Sequence, residues 1–182
     1  IVDSKDAACH EIVYEGKDLL SGKGLDDLPV PISTPGWDNA PYTSSSHYIT
    51  KDPDPGVQDM GNYRGQIRAP DRFGMNTSTE LRAGGYINWL AWKEKGEKMP
   101  CAVVVGCPPY VAFTGPQKLP IDLDELDVAG GLAGEPINAI KAKTVDLLVP
   151  AEAEVIIEGY IDPEVLEPEG PFGESHGHVA LE

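Results

Sequence analysis

Residues 167–178 read Glu-Pro-Glu-Gly-Pro-Phe-Gly-Glu-Ser-His-Gly-His, and this stretch is the most informative part of the chain. Two carboxylates, Glu169 and Glu174, flank its Gly-Pro-Phe-Gly segment. Glycine lets the backbone pack closely on both sides of the aromatic ring, and proline stiffens the loop. The pattern favours a rigid loop that presents paired acids inward, where one carboxyl group can keep its proton beside an ionised one. A proline-rich surface loop with solvated glutamates is the alternative, and the loop alone does not separate the two.

The composition narrows both the class of protein and its partners. With 182 residues, the chain is long enough to bury the core of one domain. A net charge of −16 argues against a nucleic-acid partner, because phosphate binding needs clustered Lys and Arg, whereas a bound cation suits it. We expect no membrane partner, since no apolar run reaches membrane-spanning length. The three cysteines form no CxxC pair, which indicates a reducing, cytoplasmic compartment, and Cys101 reads as a small buried hydrophobe.

Turn residues and strand patterns predict a β-rich α+β fold. The 17 prolines and 20 glycines mark many turns, and helical periodicity is scarce. The first two strands are expected to form a hairpin, with a bulge at Gly61 in the returning strand. The strands are predicted at residues 44–50, 57–67 and 99–106, with two or three more within 137–160.

Two segments carry helix signals. Residues 79–96 are the better candidate, with Thr79 as the expected N-cap and Glu80 in the first turn, although the Gly84-Gly85 pair weakens the middle. A solvated glutamate at a helix start is the alternative reading of Glu80. Residues 122–125 read as the acidic start of a second helix. Residues 1–36, by contrast, are expected to form an extended N-terminal strap.

Three blocks of the sequence resemble the UbiD family of prenylated-flavin-dependent decarboxylases and carboxylases. The first block is Met60–Gln66. The second runs from Met99–Pro100 through Asp122–Glu125 to Val128–Gly130, and the third from Thr144–Glu154 through Glu158–Ile161 to Glu169–Glu174. The third block is the most specific, and the order and spacing of all three also fit the family, so the resemblance spans most of residues 10–178.

This resemblance implies a fold and a domain organisation. Similar proteins are longer and flank this region with an N-terminal α/β part and a large C-terminal domain. Residues 37–182 would then be the central domain, a flavin-reductase-like split β-barrel that binds prenylated FMN and carries a few flanking helices. The chain would be a fragment with artificial ends. The full-length protein would be a homo-oligomer, while a monomeric and inactive state of the fragment stays open.

The resemblance places the family's catalytic Glu–Arg–Glu network on Glu169, Arg64 and Glu174. A permanently charged guanidinium between two acids can hold one ionised while the other keeps a proton. That acid can then donate its proton to the carbon that CO₂ leaves, and the reverse direction is carboxylation. The implied enzyme is a carboxy-lyase acting on aromatic or α,β-unsaturated carboxylic acids, with the flavin derivative as electron sink.

The resemblance also implies metal ions and a set of cofactor contacts. The divalent cation is Mn²⁺ or Mg²⁺, with K⁺ near the cofactor phosphate. The family's amide, imidazole and carboxylate ligands correspond here to Asp59, Glu80 and Glu125, and three carboxylates suit a hard cation. Thr114-Gly115-Pro116 stands where the family often has a serine pair beside the flavin. The implied cofactor contacts are Asp59, Gly61, Asn62, Tyr63, Arg64, Thr114, Gly115 and Glu125.

Other interpretations stay open at this point. His176 and His178 form a His-x-His motif that would face one side of a strand and could chelate a metal, with simple polar contacts as the alternative. The alternative function is a non-catalytic split-barrel module that binds ordinary FMN or a metal. A third is an acidic domain whose glutamates only solvate it.

Overall fold

The computed structural model describes residues 1–77 and 83–181, and these residues form a β-rich α+β fold, as the sequence predicts. The α-helices are α1 (Gly84–Lys95), α2 (Pro109–Thr114) and α3 (Glu125–Ala133). The strands are β1 (Tyr42–Thr43), β2 (Ser46–Lys51), β3 (Gln58–Asn62), β4 (Gly65–Ala69), β5 (Arg72–Phe73), β6 (Met99–Val105), β7 (Ala139–Lys141), β8 (Leu148–Pro150), β9 (Val155–Ile161), β10 (Phe172–Gly173) and β11 (Val179–Ala180).

The chain divides into two compact units, each assembled from separate parts of the sequence. The first, the sheet unit, comprises Ile1–Ile12, Ser46–Asn62 and Thr77–Val165. The second, the loop unit, comprises Val13–Ser45, Tyr63–Asn76 and Leu166–Glu182. The chain passes between the units several times.

The sheet unit is built on a four-stranded antiparallel sheet in the order β3-β2-β6-β9. Strand β6 lies inside this sheet and is almost entirely buried, which confirms the buried strand predicted at residues 99–106. Cys101 is buried on it, and burial raises the pKa of the thiol to about 12, so it behaves as a small hydrophobe. The predicted hairpin is also confirmed, since β2 and β3 pair in register with Thr50 opposite Asp59.

An apolar core packs the sheet against α2, α3 and the β7-β8 hairpin. Its side chains include Ile49 on β2, Met60 on β3 and Val104 on β6, together with Leu126 on α3 and Val149 on β8. All five of these side chains are buried, so this core covers one face of the sheet. The core therefore holds β3 and the start of α3, which carry two of the predicted metal ligands, in one packed body.

Helix α1 begins later than the sequence suggested. It starts at Gly84, and the Gly84-Gly85 pair forms its first turn rather than its middle. The expected N-cap Thr79 and the proposed ligand Glu80 lie outside the described residues. Gly96 ends the helix in the left-handed conformation at φ 69°, which confirms the predicted stop.

Helix α3 starts where the acidic signal was expected. Asp124 is its N-cap and accepts a hydrogen bond from the Leu126 amide at 2.8 Å, so Glu125 occupies the first turn. Helix α2 was not predicted, because its six residues are too few to show a helical period. The Thr114-Gly115-Pro116 segment therefore begins at the last residue of α2.

The predicted strand at residues 57–67 is wrong as a single element. It consists of β3 and β4, which are separated at Tyr63 and Arg64. Strand β3 pairs with β2, whereas β4 lies in a different sheet between β1 and β5. The alternation of polar side chains that suggested a bulge at Gly61 instead reflects this change of partner, because each strand aligns its side chains to its own sheet.

The loop unit contains the β1-β4-β5 sheet and the β10-β11 hairpin, which closes the 167–178 stretch.

Residues 1–36 do not run extended throughout, because they contain four short 3-10 helices. These are Ser4–Asp6, Ala8–His10, Gly16–Ser21 and Leu25–Asp27.

The sheets of the described residues are open, with two to four strands each, and they form no closed barrel. In the part of the chain that the structure describes, no helix combines the length and apolar character needed to span a bilayer.

Candidate functional site

Arg64 lies at the break between β3 and β4, where the chain changes sheets. It forms an isolated antiparallel bridge with Asn76, whose main-chain N–H donates to the Arg64 carbonyl at 3.0 Å. Only 8% of the arginine side chain is exposed. A buried guanidinium needs compensating charge, since removing an ion from water is costly unless it is paired.

Both acids of the 167–178 stretch supply that charge. Glu169 accepts hydrogen bonds from Arg64 Nε at 3.0 Å and from Nη2 at 2.7 Å. Glu174 accepts from Arg64 Nη1 on the other side of the guanidinium. The side chain of Glu169 is 9% exposed and that of Glu174 28% exposed. The three residues that the family resemblance singled out are therefore in direct contact.

Phe172, the aromatic residue between the two glycines, packs against this ion-paired group. Its ring centroid lies 4.8 Å from the guanidinium carbon of Arg64, a cation–π contact. On β1, the ring of Tyr42 lies 4.6 Å from the ring of Phe172. The Phe172 side chain thus helps to hold Arg64 in place, which explains the unusual aromatic residue in a glycine-rich loop.

Hydrogen bonds from the preceding segment anchor the acid-bearing loop. The Gly173 amide donates to Asp38 Oδ1 at 2.7 Å, and the Gly173 carbonyl accepts from Thr34 Oγ1 at 3.0 Å. Asn39 Nδ2 donates to the Gly170 carbonyl at 2.6 Å. These contacts favour the inward-facing interpretation of the loop over a solvated surface loop.

Asp59 and Glu125 lie together in the sheet unit. Glu125 is buried, and its Oε2 accepts a hydrogen bond from the Met60 amide at 2.7 Å. Asp59 Oδ2 is buried and has no hydrogen-bond partner among the described residues. Burial raises the pKa of Asp59 to about 6, although Lys118 opposes the shift. Burial also raises the pKa of Glu125 to about 7, and the charge of Asp59 acts in the same direction.

These two carboxylates fit a hard divalent cation. A buried, unpartnered carboxylate oxygen beside a second buried acid leaves negative charge that a cation would neutralise. Within residues 1–77 and 83–181, however, no three His, Cys, Asp or Glu side chains are grouped as ligands. The third predicted ligand, Glu80, lies outside the described residues, so the predicted triad is represented here by two of its members.

The remaining predicted cofactor contacts have varied environments. On β3, Asn62 is exposed and donates from Nδ2 to the Ser46 carbonyl at 3.0 Å, next to Gly61. Thr114 is buried, and its hydroxyl donates to the Val111 carbonyl at 2.9 Å. Tyr63, at the β3–β4 break, is half-buried.

Gly115 packs directly against an imidazole on β2. A Cβ atom at Gly115 would lie 2.5 Å from His47 Nδ1, so this close approach requires glycine. His47 is buried, burial lowers its pKa, and Nδ1 has no hydrogen-bond partner among the described residues. An unpaired buried nitrogen at this point is compatible with a polar group bound beside Gly115.

The His-x-His motif is not arranged as the sequence suggested. His176 lies in a turn and His178 precedes β11, so the two do not share one face of a strand. Both are exposed, and their ring centroids are 4.9 Å apart in an edge-to-face arrangement. The strand geometry on which the chelation hypothesis relied is therefore wrong.

Several residues around these sites were missed from the sequence. Asn76 contacts Glu169, Tyr42 contacts Phe172, and His47 contacts Gly115. No local pattern marks them, because each meets its partner through tertiary structure. Gly84 was noticed only as a helix-weakening residue, although its contact with Asp59 is its more informative feature.

The whole sequence matches one family of carboxy-lyases. A family model described as the 3-octaprenyl-4-hydroxybenzoate carboxy-lyase Rift-related domain matches residues 1–182. The chain belongs to this family, UbiD.

A protein of Aquifex aeolicus (strain VF5), described as uncharacterized, is 35% identical over 175 residues, covering 93% of this chain and 35% of the relative.

Solved structures of UbiD-class enzymes are also similar. An evolved dimeric form of HmfF from Pelotomaculum thermopropionicum, in complex with prFMN, is 34% identical with a TM-score of 0.79, over 84% of this chain and 35% of that one. Sedimentibacter hydroxybenzoicus vanillic acid decarboxylase in its closed form is 29% identical with a TM-score of 0.87, over 100% of this chain and 38% of that one. The chain thus spans about a third of the length of these relatives.

Proposed function

We propose that this chain is the central, cofactor-binding region of a reversible decarboxylase or carboxylase that uses prenylated FMN and acts on aromatic or α,β-unsaturated carboxylic acids. The observation that carries the proposal is the buried guanidinium of Arg64, bound on its two sides by Glu169 and Glu174. A relative of similar sequence is described in complex with prFMN, which supports the choice of cofactor.

The three residues have distinct roles in the proposed reaction. The bond between the substrate carbon and its carboxylate breaks, CO₂ leaves, and the electron pair stays on the carbon. Bound prenylated FMN supplies the electron sink for this step. One glutamate donates a proton to the carbon, and Arg64 keeps the other glutamate ionised and both acids in position. In the direction of carboxylation, the same acid takes the proton back.

Asp59 and Glu125 are proposed to bind Mn²⁺ or Mg²⁺, with Glu80 as a further ligand. The cation would neutralise two acids whose pKa values are raised mainly by burial. Gly61, Asn62, Tyr63, Thr114 and Gly115 are proposed as additional cofactor contacts. A K⁺ ion near the cofactor phosphate is part of the same proposal.

The wider context of the domain is also proposed from the family. Residues 37–182 are the domain that holds the cofactor, and its strands belong to a flavin-reductase-like split barrel. The whole protein is a cytoplasmic homo-oligomer that exchanges CO₂ with a small acid. A description of one relative as an evolved dimeric form supports an oligomeric assembly.

The test uses the protein that contains this chain, loaded with prenylated FMN. Exchange of ¹³CO₂ into a panel of aromatic and α,β-unsaturated acids is measured for the parent and for Arg64→Ala and Glu174→Gln. Both substitutions should lower exchange by at least a thousandfold, because the proton donor is lost or displaced. Arg72→Ala is the matched control, since Arg72 lies in the same unit with 57% of its side chain exposed and pairs with Glu167.

The control should keep the parent rate within about twofold, because an exposed ion pair contributes little. Retained exchange in Arg64→Ala would remove Arg64 from the mechanism. A parent protein that binds flavin but exchanges CO₂ with no acid would favour the alternative, a non-catalytic flavin- or metal-binding module.

A further inference from the structure

Helix α1 brings a buried asparagine, Asn88, to the face of the sheet that carries the proposed cation ligand Asp59. Asn88 is 1% exposed, and its Nδ2 donates to Thr50 Oγ1 on β2 at 2.9 Å. Thr50 is itself buried, and it pairs directly with Asp59 on β3. Directly paired side chains of antiparallel strands share one face, with Cβ atoms about 5 Å apart. The amide of Asn88 is therefore bound to the immediate cross-strand neighbour of Asp59.

The helical repeat links Asn88 and Asp59 in a second, independent way. Gly84 and Asn88 are four residues apart on α1, so they lie on the same side of the helix, one turn apart. Gly84 lies directly against the Asp59 carboxylate, because a Cβ atom on this glycine would overlap Oδ1. One side of α1 thus contacts Asp59 with its first turn and Thr50 with the next.

Two buried oxygen atoms at this face have no hydrogen-bond partner among the described residues. They are Oδ1 of Asn88 and Oδ2 of Asp59. The charge of Lys118 acts on Asp59, but Lys118 donates no hydrogen bond to Oδ2. Buried acceptors normally have a partner, since an unpaired one has lost its hydration without compensation. A hard cation can satisfy both atoms, because carboxylate and amide oxygens are suitable ligands for Mn²⁺ and Mg²⁺.

The proposed cation site also lacks ligands that Asn88 can supply. In the part of the chain that the structure describes, no third acid, imidazole or thiol is grouped with Asp59 and Glu125. Mg²⁺ and Mn²⁺ prefer octahedral coordination by oxygen, so neutral oxygens have to complete the set. Asn88 is not among the residues that the family resemblance implies, and its side-chain oxygen is unused.

We propose that Asn88 is a further ligand of the cation bound at Asp59 and Glu125: its side-chain oxygen supplies a neutral contact from α1, directly or through one metal-bound water molecule. The hydrogen bond to Thr50 uses Nδ2 of the amide and leaves Oδ1 for the cation. This inference rests on the proposed cation site, and the tests below separate the two.

The first test measures Mn²⁺ affinity by calorimetry in the protein that contains this chain, without flavin. Asn88→Leu should lower the affinity about tenfold, because it removes an oxygen from the surroundings of the cation. Asn88→Asp keeps the size of the side chain and adds a charge to that oxygen, so it should raise the affinity about tenfold. General damage to the fold would lower the affinity in both variants, which would contradict the proposal.

Asn138→Asp is the matched control for the added charge. Asn138 is exposed, belongs to the same unit and donates to Glu152 rather than to a residue of this site. The substitution should change Mn²⁺ affinity by less than about twofold, because solvent screens an exposed charge. An equal gain in Asn138→Asp and Asn88→Asp would assign the effect to net charge and overturn the role of Asn88.

A double variant makes the test independent of folding. Asn88→Leu alone leaves Thr50 Oγ1 without its donor, which lowers stability. Thr50→Val combined with Asn88→Leu replaces both partners with apolar side chains of similar shape, a change that is close to neutral for stability. The metal-free Tm of the double variant should exceed that of Asn88→Leu, while its Mn²⁺ affinity should be equally low. Parent affinity in the double variant would show that the cation does not use Asn88.

The second test detects the contact by electron–nuclear double resonance (ENDOR) of bound Mn²⁺ in protein labelled with ¹³C at the side-chain carbonyl of asparagine. The parent should show a Mn²⁺–¹³C coupling that disappears in Asn88→Leu, strong for direct ligation and weaker for a water bridge. No coupling, or one unchanged in Asn88→Leu, would overturn the proposal. If the parent binds no Mn²⁺, the proposed cation site fails and the inference with it. If Asp59→Ala abolishes Mn²⁺ binding and the Asn88 variants bind like the parent, only the role of Asn88 fails.

Discussion

Asp59 occupies space that any side chain at position 84 would need. A Cβ atom built on Gly84 would lie 1.7 Å from Asp59 Oδ1, far inside a normal contact distance. The carboxylate therefore lies directly against the first turn of α1, where the positive end of the helix dipole favours negative charge. Residue 84 must therefore be glycine for Asp59 to keep this position.

Gly84→Ala should weaken cation binding at Asp59, because the new methyl group forces the carboxylate to move. We expect Mn²⁺ affinity, measured by calorimetry on the protein that contains this chain, to fall at least tenfold. Gly84→Ala should also lower the free energy of unfolding of the parent protein. In an Asp59→Ala background it should lower that free energy much less, because the carboxylate that the new methyl group would contact is gone.

Gly131→Ala is the matched control for this prediction. Gly131 lies in α3, and a Cβ atom there would meet nothing within 4 Å. An alanine in such an open helical position should stabilise the protein by about 0.5–1 kcal/mol and leave Mn²⁺ affinity unchanged. Equal Mn²⁺ affinity in Gly84→Ala and the parent would show that Asp59 does not bind the cation.

Among the secondary structure elements, strand β6 is central to the sheet unit because it is paired on both edges. It pairs with β2 on one side and β9 on the other, and its Val104 is fully buried in the core. Because β2 lies between β6 and β3, Asp59 on β3 is separated from β6 by a whole strand. Damage to the core at β6 should therefore reach the proposed metal ligands only through loss of the fold.

Val104→Ala should lower the free energy of unfolding by about 2 kcal/mol, since it removes two methyl groups from a close-packed core. Urea denaturation measures this change. Val165→Ala is the control, because Val165 is largely exposed and should change stability by less than about 0.5 kcal/mol. The Mn²⁺ affinity of folded Val104→Ala should equal that of the parent. A loss of affinity without unfolding would contradict the view that β6 acts only through stability.

The elements were predictable to the extent that their signals were local. The run of apolar residues at 99–106, the acidic helix start at 122–125 and the end of a helix at residue 96 each depend on a few neighbouring residues, and all three were recognised. The division of residues 57–67 between two sheets was not, because strand pairing depends on partners far away in sequence. Helix α2 was missed because one and a half turns carry no period.

At the level of the whole molecule, the net charge of −16 and the buried acids make stability dependent on pH and on cations. The pKa of Glu125 is raised from 4.5 to about 7 and that of Asp59 from 3.8 to about 6. Between pH 4.5 and 7, the folded protein therefore binds more protons than the unfolded chain does. By linkage, the stability that these groups contribute is fully present below their unfolded pKa values and is lost as the pH rises through the folded values.

Without metal, the free energy of unfolding should fall as the pH rises from about 5 to 8, and Glu125 alone accounts for about 3 kcal/mol of this change. Urea denaturation at several pH values measures it. Glu125→Gln should flatten the dependence, whereas Glu152→Gln, which changes an exposed glutamate, should leave it as it is. A flat profile in the parent would contradict the burial of unpaired acids.

Mn²⁺ should oppose this loss, because the cation replaces the protons on the same carboxylates. Addition of Mn²⁺ should raise the Tm more at pH 8 than at pH 5.5, and EDTA should reverse the effect. An equal shift at both pH values would place the bound cation on other groups.

The sequence by itself determined the β-rich class, the buried central strand, the loop with its two acids and the family. These features depend on patterns of neighbouring residues and on motifs that follow one another along the chain in the order and spacing typical of the family. The family resemblance predicted a network of Arg64, Glu169 and Glu174, but only the tertiary structure decided that these side chains are in contact. The contact of Asn76 with Glu169 and the close approach of Asp59 to Gly84 also came from the tertiary structure alone. Arg64 lies 105 residues from Glu169 in the chain. Contacts over such separations arise from the packing of whole elements, and no local pattern encodes them.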